Sequence, residues 1–191
     1  MKVTAILLAS VFSLGQSTDT APKAPPSQKP MAASIASVAD RQVYYAEAEI
    51  VPAAEVMPEE KFNFAPGGPG DFKDVRTFAM QVKHIANTNY LFWSAVLGEP
   101  PAIDTTQDNG PDSIKSKADI LKYLKDSYAL GHRAAKSLTV ENYLDRVTVN
   151  ANNAGPRLFW TTFAISHDYD HYGQIVEYLR MNGIVPPASR R

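Results

Sequence analysis

Apolar side chains recur every three to four residues along four long stretches of the chain, the period of one face of an α-helix. The first stretch, 32–51, carries Ile35, Val38, Val43 and Ile50, and Pro52 is expected to kink or end that helix because proline lacks an amide proton and crowds the preceding turn. Pro58-Glu59-Glu60 then starts a turn, and Phe62 and Phe64 anchor the loop that follows. Pro66-Gly67-Gly68-Pro69-Gly70 cannot be helical and marks a sharp connection. The second helix is predicted over 71–97, opened by Asp71 as N-cap, with Val75, Phe78, Val82, Ile85, Leu91 and Val96 on its apolar stripe and Gly98 at its end. After a polar loop over 99–112, a third helix capped by Ser113 or Ser116 extends to residue 137 through Ile120, Leu121, Leu124, Tyr128 and Leu130. A shorter helical piece is read over 140–147. The chain breaks at 152–155, Pro156 takes the first-turn position of a fourth helix, and Gly183 with Pro186-Pro187 stops that helix after residue 182. No stretch alternates clearly enough to read as a strand and no internal repeat is visible. The pattern predicts an all-α fold, a four-helix bundle.

The N-terminus breaks this pattern. Lys2 followed by an apolar run over 3–14, too short to span a membrane, reads as a signal peptide over 1–17 and predicts an exported protein, periplasmic or secreted. Four prolines in APKAPPSQKP make 18–30 an extended linker. The bundle is placed at 31–187 and a short tail at 188–191. With 191 residues, 45% of them hydrophobic, the chain can bury one real core. A net charge of −1 and the absence of any basic block argue against nucleic acid as a partner. No membrane insertion is expected once the signal is removed. The chain has no cysteine, so disulfides, thiolate ligands and a cysteine nucleophile are all excluded. Any metal site must be built from His, Asp, Glu or backbone oxygen.

Within the fourth helix, His167 and His171 lie four residues apart and therefore one turn above each other. That spacing lets two imidazole nitrogens converge on one ion. Trp160, Phe163, Ala164, Ile175 and Tyr178 share the stripe, which turns both histidines toward the core, where unpartnered polar groups are costly. Bundles build metal sites between facing helices, and His84 in the middle of helix two is placed to meet the pair. His132, after Gly131 on helix three, reads as incidental. Asp168 and Asp170 flank the pair but point to other sides of the helix. Gln81, Asn87, Asp168, Asp170 and Gln174 are available to orient the imidazoles through their second nitrogens.

Three stretches carry a family resemblance: MPEEKFNFAP at 57–66, TFAMQVKHIANTNYLFWSAVLG at 77–98 and HDYDHYGQIVEYLRMNGIVPP at 167–187. In this order they resemble the DinB/YfiT-like superfamily of metal-dependent enzymes. The resemblance implies a four-helix bundle in which one histidine of the second helix and an HxxxH pair of the last bind a single divalent metal. Carried onto this chain, the implied ligands are His84, His167 and His171. It also implies a small-molecule substrate and the possibility of a homodimer, and it names no catalytic residue.

Neutral imidazole suits zinc or nickel best among the candidates, with iron and copper also compatible. Three protein ligands would leave a coordination position free for water or substrate, the arrangement of a catalytic rather than a closed structural site. The resulting expectation is a metal-dependent hydrolase or a transferase acting on a small thiol. The competing expectation is a bundle that binds metal without catalysis or serves as an interaction module.

Overall fold

The computed structural model describes residues 33–67 and 74–190. The signal peptide, the linker, the bundle's start at Met31 and the expected opening of helix two at Asp71 fall outside the described residues. Four helices and one small hairpin make up the rest: α1 (Ile35–Val56), α2 (Phe78–Leu97), α3 (Lys117–Lys136), β1 (Arg146–Asn150), β2 (Asn153–Pro156) and α4 (Arg157–Met181). Short 3₁₀ turns follow α1 and α4. Among the described residues, no helix is long and apolar enough to cross a membrane.

Helix α1 starts in a capping box, in which the Ser34 hydroxyl accepts from the Ser37 amide at 3.1 Å and Ser37 returns the contact to the Ser34 amide at 2.8 Å. The helix runs through Pro52 rather than ending there. The carbonyl that Pro52 leaves without a donor belongs to Ala48, on the exposed side where water can serve it, while Ala53, Ala54 and Met57 beyond the proline are fully buried. Burial of that last turn offsets a penalty of about 3 kcal/mol for the interior proline.

Helix α2 starts later than predicted. Asp74 has a positive φ of 63°, a left-handed conformation that helix continuation forbids, and Thr77 is the actual N-cap, accepting from the Met80 amide at 3.2 Å. The loop carrying Phe62 and Phe64 completes this end: their carbonyls accept from the amides of Ala79 and Phe78, both at 2.8 Å. Ser116 rather than Ser113 caps α3. At the far end of α4, Gly183 takes φ 72°, and the amides of Gly183 and Ile184 reach back to the carbonyls of Arg180 and Leu179 at 2.9 Å each, a Schellman closure.

The predicted helical piece over 140–147 is a correction. The chain there makes a turn, with the Asn142 side chain accepting from the Thr139 amide at 2.8 Å, and then enters β1. β1 and β2 pair antiparallel in the register Val147↔Gly155, with an irregularity between Thr148 and Asn150. The alternation is present but brief, because Val147 and Val149 turn inward while Arg146, Thr148 and Asn150 stay exposed. Its β-branched residues pack a sheet edge better than a helix face. Pro156 ends β2 and serves as the N-cap of α4 rather than its first-turn residue.

Helices α2 and α3 pack together, as do α1 and α3, α2 and α4, and α1 and α4, so α1 and α2 stand on one diagonal of the bundle. The core between them includes Val43, Ile50, Phe78, Ile85, Trp93, Leu124, Tyr128, Ile175 and Leu179. Gly131 permits the tightest approach: a Cβ there would lie 2.9 Å from the indole nitrogen of Trp93 and 3.3 Å from Val43. Helix α2 is buried around most of its circumference, which puts its polar residues Gln81, His84, Asn87, Thr88 and Asn89 inside the bundle. Each of these needs a partner.

Candidate metal centre

His84 on α2 and His167 and His171 on α4 supply the polar seam between these two helices, and their ligating nitrogens all lie within 4.8 Å of one another. Nε2 of His167 is 3.2 Å from Nε2 of His84 and 3.2 Å from Nε2 of His171. The other nitrogen of each ring decides what those short distances mean. His84 Nδ1 sits 2.6 Å from the backbone carbonyl of Asp108, which can only accept, so Nδ1 carries the proton. His171 Nδ1 lies 2.9 Å from Oε1 of Gln81, whose amide nitrogen is committed to Oε1 of Gln174 at 2.6 Å. It too must donate. The Thr88 hydroxyl gives its proton to the His84 carbonyl at 2.9 Å and faces His167 Nδ1 at 3.3 Å, so it accepts from that ring.

All three Nδ1 atoms are thereby donors, and all three Nε2 atoms present lone pairs to the same point. Neutral rings in these tautomers cannot hydrogen-bond to one another through Nε2. Protonation is no remedy. Burial, then the neighbouring rings, depresses the basicity of His167 to a pKa of about 4 and that of His171 to about 3, and burial likewise lowers His84. Three converging lone pairs that resist protons are matched by a cation. Metal–imidazole bonds of about 2.1 Å in a tetrahedral arrangement place ligand nitrogens roughly 3.4 Å apart, close to the two 3.2 Å separations from His167. The residues therefore fit a divalent ion, and the donor set is all-nitrogen.

The surroundings are asymmetric. On one side, the Arg76 guanidinium pairs with the Asp108 carboxylate and donates to Asn109 at 2.7 Å, fixing the loop that brings the Asp108 carbonyl to His84. The same loop is tied down by Asn87, which donates to the carbonyls of Thr105 and Gln107, and by Lys83, which donates to that of Pro111 at 2.8 Å. On the other side stand Phe92 and Phe163, with ring centroids 5.9 and 6.3 Å from that of His167.

Of the residues proposed from sequence to orient the histidines, Gln81 and Gln174 do so, and Asn87 acts on the loop instead. Asp170 is exposed and reaches only Gln174, at 3.5 Å. Asp168 is fully buried on a different side of α4, accepting from the Tyr128 hydroxyl at 3.0 Å and from Asn89 at 3.4 Å, and burial raises its carboxyl to a pKa of about 8. Its Oδ1 has no partner among the described residues. Phe163 was expected in the core and is 40% exposed. The sequence reading did not single out Thr88, Asp108 or Arg76 as partners of the site. Thr88 is detectable in principle, one helical turn after His84, whereas nothing in the loop's pattern announces Asp108.

Comparison with known proteins agrees with this architecture. The family model described as the DinB superfamily matches residues 42–175, a span that contains all three histidines. No curated protein matches the chain. Among solved structures, a DinB-like protein from Bacillus cereus shares the fold with a TM-score of 0.61 at 17% identity, covering 77% of this chain and 92% of its own. The bundle of four helices and the extent of the family match lead to one conclusion: the chain belongs to the DinB superfamily.

Proposed function

We propose that this protein binds one divalent cation, zinc or nickel, through His84, His167 and His171 and uses it to hydrolyse a small-molecule substrate. The observation that carries the reading is the convergence of three Nε2 lone pairs, that of His167 lying 3.2 Å from each of the other two, with every Nδ1 beside an acceptor. A bound divalent ion supplies a Lewis acid that lowers the pKa of a water or thiol at neutral pH. The chain's own residues do the remaining work. Asp108, Thr88 and Gln81 hold the three rings in the ligating tautomer and so remove a reorganisation cost from binding. The Arg76–Asp108 pair gives the site a polar wall, and Phe92 gives it an apolar one.

Hydrolysis is favoured over thiol transfer by the expected export of the chain, since low-molecular-weight thiols are concentrated in the cytosol. The experiment is a panel of ester, amide and lactone substrates assayed with and without chelator, alongside a small-thiol transfer assay. Turnover of a hydrolase substrate that chelator abolishes and zinc or nickel restores is the expected result. Metal-loaded protein inert toward every hydrolase substrate yet active with a thiol would replace hydrolysis by transfer. Inertness in both assays would favour a metal-binding bundle without catalysis.

A further inference from the structure

Helix α4 presents Phe159, Phe163, His167 and His171 at four-residue intervals, so one stripe of the helix passes from two aromatic rings to two candidate ligands. Four residues of helix rise about 6 Å. The ring spacings follow suit, with Phe159 stacked on Phe163 at 5.8 Å and Phe163 lying 6.3 Å from His167. Phe159 is 50% exposed and Phe163 40% exposed, although their neighbours Phe92 and Trp160 are buried. Those two rings form the floor: Phe92 stacks on Trp160 at 5.6 Å and meets Phe163 edge-on at 5.3 Å. The exposed pair is therefore held rigid from beneath, with little conformational freedom left to lose on binding.

We infer that Phe159 and Phe163 form an aromatic subsite for the substrate of the histidine centre, and that this substrate carries an aryl or arylalkyl group extending about 6–12 Å from the metal along α4. The inference rests on the metal-binding reading above and specifies its substrate class. Adjoining exposed aromatic rings mark a ligand groove or a contact with another chain. Continuity decides between them here, because the shelf and the histidines share one helical stripe and Phe163 faces the ring of His167 directly. A polar focus at one end and apolar walls along the rest is the usual form of a small-molecule site. Arg76 and Asp108 close the opposite side with charge, which leaves the Phe163 side for an apolar group.

The test compares two chelating probes with the same head, acetohydroxamate and 3-phenylpropionohydroxamate, titrated calorimetrically into zinc-loaded protein whose metal content has been measured. The phenyl compound should bind roughly tenfold more tightly, the gain of laying one ring on an apolar shelf. Phe163→Ala should bring the ratio of the two affinities to within about twofold, and Phe163→Leu should leave it between the two values. Acetohydroxamate binding and the circular dichroism spectrum report whether each variant is folded. Equal affinities for the two probes in zinc-loaded wild type would overturn the aromatic subsite and leave the metal reading standing. Failure to take up zinc would overturn both. A wild-type dimer that Phe163→Ala dissociates while the affinity ratio stays unchanged would assign the rings to a second copy of the chain, against the inference.

Discussion

Two histidine clusters sit between helices of this bundle, and they solve opposite problems. His132 on α3 is bracketed by carboxylates of α1, with Nδ1 2.6 Å from Asp40 and Nε2 3.0 Å from Glu47. Both ring nitrogens face acceptors, Lys136 adds a cation 3.6 Å from Asp40, and the cluster is complete without any ion. Between α2 and α4 the arrangement is inverted. Each outer nitrogen has a neutral oxygen as its nearest acceptor, the exposed Asp108 carboxylate coming no nearer than 3.3 Å to His84 Nδ1, and the inner nitrogens meet one another. A histidine bracketed by two carboxylates has acceptors for both of its ring nitrogens. Three histidines whose inner nitrogens face one another make a donor set that fits a metal ion. Both sites are built on imidazole, and what separates them is what the ring nitrogens touch: two carboxylates at His132, other imidazoles between α2 and α4.

The most severe way to break this contrast is to supply the ion. Zinc at about a thousand times its dissociation constant should raise folding stability by roughly 4 kcal/mol. Thermal unfolding with and without zinc checks this. The rise should survive in His132→Ala and vanish in His167→Ala/His171→Ala. Next in size are the groups that hold the rings. Thr88→Val and Gln81→Leu each remove an acceptor from an Nδ1 atom and should weaken metal affinity by about 10- to 100-fold, as read by competition with a chromophoric chelator.

Acid sharpens the comparison without any mutation. His167 and His171 are held neutral in the folded protein, with pKa values of about 4 and about 3, against about 6.5 in an unfolded chain. Between those limits the unfolded state binds more protons, so the metal-free protein should lose stability as pH falls from about 6.5 toward 4. Asp168 works in the other sense. Its pKa of about 8 means that the folded state keeps a proton the unfolded chain has lost above about 4, so its contribution becomes less favourable as pH rises toward 8. Asp168→Asn should therefore gain stability relative to wild type across that interval, measured by denaturant unfolding at a series of pH values. The smallest effect belongs to the closed cluster: Glu47→Gln should cost about 1 kcal/mol or less, because the pair is partly exposed, and should leave metal binding untouched.

Much of the architecture was legible because helices write a regular period into sequence. The ends of α2 and α4 at Gly98 and Gly183 follow from local chemistry, as does the Ser116 cap. What failed was also physical. Pro52 is expected from sequence to kink or end α1, but the helix continues because burial of the following turn outweighs the lost hydrogen bond. The hairpin over 146–156 is so short that its alternation involves only Val147 and Val149, while Val140, Leu144 and Val147 recur at the four- and three-residue spacing of a helix. At the centre, the histidine spacing was readable within α4, since four residues make one turn. The partners of the rings were less so. Asp108 reaches His84 through its backbone carbonyl, a group every residue possesses, and its placement depends on Arg76, Asn87 and Lys83 holding a loop across a gap in sequence. The separation of Asp168 from the histidine centre likewise depends on Tyr128 and Asn89 from two other helices.

The most direct measurement is metal content, determined by mass spectrometry on protein purified without a metal-binding tag, for wild type, His132→Ala and His167→Ala/His171→Ala. The account predicts about one equivalent of divalent metal in the first two and none in the double variant. Wild-type protein that holds no metal after incubation with zinc or nickel would contradict it, as would metal that follows His132 rather than the histidines of α4.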